Sequence, residues 1–87
     1  MSSLKDVITV RYFAGARAAS GTDEEHLEVT RPWSLEELAD RLAQRHGPDL
    51  ERVLAAASFL VDETTGARDR VVRAGSVVDV LPPFAGG

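Results

Sequence analysis

The residues of this chain that could do chemistry lie at its C-terminus, which reads Leu81-Pro82-Pro83-Phe84-Ala85-Gly86-Gly87. Gly86 and Gly87 carry no side chains, so such an end can thread a narrow channel and present its α-carboxylate to another protein's active site. Glycine also reaches φ/ψ regions closed to other residues, so the tip can bend to suit what grips it. The α-carboxylate of Gly87, with an ordinary pKa of about 3.3–3.7, is anionic near neutral pH and inert as an electrophile. It reacts only after another protein activates it. A frayed terminus without a role is the competing reading.

The element that positions this tail is a strand that stops abruptly. Val77-Val78-Asp79-Val80-Leu81 is β-branched and apolar, the composition of a strand buried on both sides and therefore central. Pro82 and Pro83 have no N–H to donate, so sheet pairing ends there. A residue before proline is driven to extended geometry, so Leu81 and Pro82 continue outward as a short stiff stalk. Residues 1–81 are expected to form the folded domain and residues 82–87 an extended tail. Leu81, Pro82, Pro83 and above all Phe84 are candidate partner-docking residues, with Ala85 and Gly86 as the part that enters a channel. Phe84 has two readings, a docking residue held off the body or an aromatic folded back onto the core.

The rest of the sequence offers no rival site. There are no cysteines, which removes disulfides, thiolate metal sites and thiol nucleophiles together. Sulfur chemistry here must use something other than a side-chain thiol. His26 and His46 lie on different elements with no acidic or histidine partner at ligand spacing, and read as surface or helix-end residues. No metal site is expected. No nucleophile elbow and no phosphate-cradling glycine loop is present. The net charge of −4 argues against nucleic acid, which needs a basic face. Arg68, Arg70 and Arg73 are interrupted by Asp69 and read as a solvated strand face. No segment suits a bilayer span and no secretion signal is evident, so no membrane partner and a cytoplasmic location are expected.

The 87 residues make one domain with a modest core. A strand over 7–13 places Ile8, Val10 and Tyr12 on one face. Residues 14–21 read as a loop with a helical turn, and 24–30 as a second strand pairing with the first, Leu27 and Val29 inward. Ser34 with Glu37 forms a capping box for a helix to His46, with Trp33 and Leu38 at the spacing of a hydrophobic staple. Leu35, Leu38, Ala39 and Leu42 repeat at helical period. Gly47 and Pro48 stop that helix, and Leu50, Val53 and Leu54 suggest a short second one. Strands follow at 58–62 and 70–72, with a turn at 63–66. The order predicts an α+β fold with one main helix across a mixed sheet of about four to five strands.

The tail and the opening Val10-Arg11-Tyr12-Phe13-Ala14, with Arg17 and Gly21, resemble the ubiquitin-like β-grasp sulfur carriers of the MoaD/ThiS family. The likeness spans essentially the whole chain. Within the family it is greatest to the small subunits of molybdopterin synthase, whose chains end in Pro-Pro-X-X-Gly-Gly. Departures occur at Ala18, at Asp62-Glu63-Thr64-Thr65-Gly66 in place of an Asn-Gly hairpin, and at Ser76. The resemblance implies a β-grasp fold and a carrier that is not catalytic alone. Gly87 would be adenylated with ATP by an E1-like adenylyltransferase. A sulfur donor of the cysteine desulfurase or rhodanese type would then convert it to a thiocarboxylate. The loaded tail would enter the large subunit of molybdopterin synthase, which supplies the catalytic side chains. No cofactor is expected to bind the chain itself. The same tail would also serve a carrier for thiamine, cysteine or tRNA thiolation, or a ubiquitin-like protein modifier.

Overall fold

The computed structural model describes residues 6–83. Strand β1, Val7–Tyr12, buries Ile8, Val10 and Tyr12 as the alternation requires. Residues 15–20, expected as little more than a turn, form a short helix α1, Gly15–Ser20. Gly21 ends it at φ +79°, donating its N–H to Arg17 O at 2.9 Å. Strand β2, Glu24–Glu28, returns antiparallel to β1, with Leu27 opposite Ile8.

A two-residue strand β3, Trp33–Ser34, leads into helix α2, Leu35–His46. Ser34 and Glu37 make the reciprocal capping box: Glu37 N–H donates to Ser34 Oγ at 3.1 Å, and Ser34 N–H to Glu37 Oε1 at 3.0 Å. Leu35, Leu38, Ala39 and Leu42 are all buried. Helix α3, Pro48–Ala56, follows at once. Pro48 does halt α2, but it also opens α3, because a first helical position needs no N–H and suits the fixed φ of proline.

Strand β4, Ser58–Val61, and strand β5, Thr64–Gly66, pair antiparallel, with Val61 opposite Thr64. The expected turn over 63–66 is therefore tighter and earlier, consisting of Asp62 and Glu63. Both have positive φ, +49° and +71°, as a two-residue hairpin loop requires. Neither is glycine, and a tertiary contact holds the turn: Asp62 N–H donates to Val77 O at 2.8 Å while Asp62 Oδ1 accepts from Val77 N–H at 2.9 Å. Strand β6, Val71–Val72, pairs with β3 in a separate ribbon and does not join the main sheet.

Strand β7, Val77–Leu81, completes a five-stranded sheet in the order β2-β1-β7-β4-β5. It runs parallel to β1 and antiparallel to β4, so the expected central position holds. The core joins Ile8, Val10, Phe59, Val61, Val78 and Val80 from the sheet with Leu35, Leu38 and Leu42 of α2 and Leu50 and Leu54 of α3. This mixed sheet with its helices is the α+β, ubiquitin-like β-grasp architecture.

Candidate functional site at the root of the tail

Leu81 ends β7 paired with Ser58 of β4, while Tyr12 and Val80 are partners on the β1 side. One residue further, Phe13 N–H donates to Val80 O at 3.3 Å. The tail thus leaves from a strand held on both flanks. Leu81 and Pro82 are half-buried and Pro83 is exposed. The candidate residues Phe84, Ala85, Gly86 and Gly87 lie outside the described residues.

On the sheet face away from α2, Arg11 and Asp79 are register partners. Arg11 Nε donates to Asp79 Oδ1 at 2.6 Å and Nη2 to Oδ2 at 2.9 Å. Asp79 is only 6% exposed, and this two-pronged bond is what makes its burial tolerable. Hydrogen bonding to Asp79, then its charge, raises the Arg11 guanidinium above its ordinary pKa. The pair lies two residues before Leu81.

Beside the tail root runs an open groove of about 1020 Å³ between α1, α3 and the end of β7. Phe13 lies in it and is 41% exposed. Its two charged residues, Asp49 and Arg52, pair with each other.

Other polar clusters are structural. Glu25 of β2 accepts from Tyr12 Oη at 2.6 Å, contacts Arg45 Nε at 3.3 Å and is joined by His46 Nε2. His46 therefore has the acidic partner that its sequence neighbours do not supply, 21 residues away. Burial, reinforced by Glu25, pushes the Tyr12 hydroxyl above its ordinary pKa. Through these contacts Glu25 ties the end of α2 to β1 and β2. Arg68 Nη2 donates to Leu54 O at 2.7 Å, at the end of α3, with its guanidinium 4.8 Å from the Phe59 ring centre. Arg70 Nη1 reaches Thr64 O and Thr65 O, each at 3.4 Å. Arg68 and Arg70 are thus backbone braces rather than a solvated face. Among the described residues no group of three or more His, Cys, Asp or Glu could hold a metal, and no helix is long and apolar enough to cross a membrane.

Residues 10–87 match the ThiS family model. A Pyrococcus furiosus protein assigned as molybdopterin converting factor, subunit 1, is 25% identical with a TM-score of 0.75, over 90% of this chain and 98% of that one. Small archaeal modifier protein 1 of Haloferax volcanii is 21% identical with a TM-score of 0.78, over 90% and 98%. A complex of subunits 1 and 2 of the Helicobacter pylori molybdopterin-converting factor contains a chain 20% identical with a TM-score of 0.61, over 93% and 99%. No curated protein matches the sequence.

Proposed function

Because the chain belongs to the ThiS family of ubiquitin-like sulfur carriers, we propose that Gly87 is the atom-carrying residue and that the sulfur it carries goes to molybdopterin. The observation that carries this reading is the family match running through residue 87, on a fold that roots the tail in its central strand. The Gly87 carboxylate attacks the α-phosphorus of ATP in an E1-like adenylyltransferase and pyrophosphate leaves. The terminal sulfur of a persulfide on a desulfurase- or rhodanese-type donor attacks the acyl carbon and AMP leaves; a thiol then cleaves the resulting acyl disulfide, is itself oxidised to a disulfide, and the thiocarboxylate is released. Ala85 and Gly86 pass through the partner's channel, and Phe84, Pro83, Pro82 and Leu81 meet its surface. The absence of cysteine protects the acyl group from attack by a thiol of the same chain.

Pro82-Pro83 favours the small subunit of molybdopterin synthase over a thiamine carrier, whose tails usually lack the pair. The Pyrococcus furiosus and Helicobacter pylori likenesses support the same branch. In the latter, subunit 1 is in complex with subunit 2. A cytoplasmic location accords with this role. The likeness to an archaeal modifier supports a second reading, conjugation of Gly87 to lysines of other proteins.

Intact-mass measurement after incubation with an E1-like protein, ATP and a sulfur donor separates these readings. A carrier gains the mass difference between sulfur and oxygen, a modifier gains a whole protein, and an inert tail gains nothing. A variant lacking Gly87 should gain nothing while keeping its thermal midpoint. Pathway is read next, by single-turnover conversion of a pterin precursor with the large synthase subunit.

A further inference from the structure

We propose that Arg52 guards the activated tail: it is a cation that cannot be acylated, standing where the Gly87 acyl group can reach and where a lysine would capture it. The proposal rests on the carrier reading above and adds the residue that keeps the acyl group for an external nucleophile.

Cations are needed around the tail root, and each has a task. Arg11 answers the buried Asp79, two residues before Leu81. Arg68 donates to the carbonyls of Leu54, Ala55 and Ala57, just ahead of Ser58, the register partner of Leu81. Arg52 of α3 pairs with Asp49 and lines the groove with Leu81, Pro82 and Pro83. Geometry explains arginine at the first two places. Arg11 forms a two-pronged bond, and Arg68 spans several carbonyls while lying over the Phe59 ring; both are tasks for a planar fork. Arg52 meets Asp49 through Nη2 alone, and its side chain is 72% exposed. A lysine would serve that ion pair as well, so packing does not select arginine at position 52.

Reactivity does. A guanidinium keeps its proton at any physiological pH and offers no nucleophile, whereas part of any lysine population is free amine. Once adenylated, Gly87 is an acyl donor. A lysine amine would attack its acyl carbon, AMP would leave, an amide would close between tail and body, and the surplus proton of the amine would pass to solvent. Four residues follow Pro83, and four extended residues span about 14 Å. A tail of that length can cross an open groove of about 1020 Å³ that is lined by both Pro83 and Arg52. The chain has nine arginines and one lysine, Lys5. Strands β1 and β7 run parallel with Val80 beside Tyr12, so the tail leaves past one end of β1, while Lys5 precedes Val7 at the other. Those two ends lie about 17 Å apart, and the tail starts beyond the nearer one. The one side-chain amine of the sequence thus enters the chain at the end of β1 that the tail leaves behind.

The test activates the tail without any partner. The whole chain is prepared with Gly87 as an aryl thioester, kept folded and dilute at mildly alkaline pH, and then digested to locate each new amide. In Arg52→Lys, linkage of Gly87 to position 52 should exceed linkage to Lys5 by about tenfold or more, in a product one water lighter than the free acid. In denaturant the preference should shrink to the few-fold advantage of the shorter loop. Thr30→Lys, at an exposed position outside the groove, should be linked no more than Lys5, and Arg52→Gln should only hydrolyse. Linkage to position 52 no more abundant than linkage to Lys5, in a variant with the wild-type thermal midpoint, overturns the guard and leaves the carrier reading in place. The carrier reading is measured separately, by sulfur gain of the wild-type chain with an E1-like protein, ATP and a sulfur donor. Absence of that gain overturns the carrier reading and the guard with it, even where position 52 is captured.

Discussion

Arg11 and Asp79 stand opposite each other in the parallel β1–β7 pair and are joined by two hydrogen bonds, of 2.6 and 2.9 Å. Neighbouring β7 residues Val78 and Val80 point into the core, so Asp79 is a charged interruption in an apolar strand. Removing one partner leaves a nearly buried carboxylate without its counter-ion, whereas removing both leaves nothing to satisfy. Arg11→Leu should lower the thermal midpoint more than Arg11→Leu/Asp79→Leu. A double variant less stable than the single one would mean that the pair itself, rather than the burial of Asp79, sets the balance.

Glu37 gives stability a defined acid limb. Its hydrogen bond to Arg31 and then its backbone bond to Ser34 lower its pKa from 4.5 to about 2. A carboxylate depressed on folding stabilises the protein above its unfolded pKa and loses that contribution as pH falls through its folded value. Denaturant midpoints should therefore decline between about pH 4.5 and pH 2, and Glu37→Gln should flatten this portion of the profile. Glu37 is exposed, so the effect should also shrink in high salt.

Gly66 is held to glycine by crowding. A Cβ there would sit 2.8 Å from Leu35 Cδ1 and 3.2 Å from Val61 Cγ2. Gly66→Ala presses on the buried Leu35 and Val61 side chains, which must shift to admit it, and should cost about 1–3 kcal/mol in denaturant unfolding. Sulfur loading under conditions where the variant stays folded should be unchanged, because β5 is the sheet edge furthest from β1 in strand order.

Gly86→Val tests whether a channel reads the tip. The variant keeps the carboxylate but adds a branched side chain and closes φ > 0. Pyrophosphate exchange or single-turnover sulfur transfer should fail although the free protein folds normally. Wild-type rates in both assays would show that no narrow channel reads the tip.

The features that could be read in the sequence are those specified by neighbours in the chain. Ser34 and Glu37 are three residues apart, so the start of α2 is visible as a pattern, and the run Val77–Leu81 closed by two prolines announces a central strand. Strand β5 was hidden because Thr64-Thr65-Gly66 has the composition of a turn. Its true turn, Asp62-Glu63, lacks glycine and is held by Val77, fifteen residues on. His46 likewise finds Glu25 only when the sheet packs on α2, and Arg68 finds the end of α3 only through the fold. Gly87 was proposed from its place at the end of the tail behind the two prolines, since its proposed chemistry needs no side chain.

The place of β7 also governs when the fold can form during synthesis. Both of its neighbours, β1 and β4, are translated before it. Until residues 77–81 emerge from the ribosome, nothing can join β1 and β2 to β4 and β5 in one sheet, and the contacts between first and last strands must wait. A chain broken off early lacks the strip that joins those pairs of strands and all that follows it.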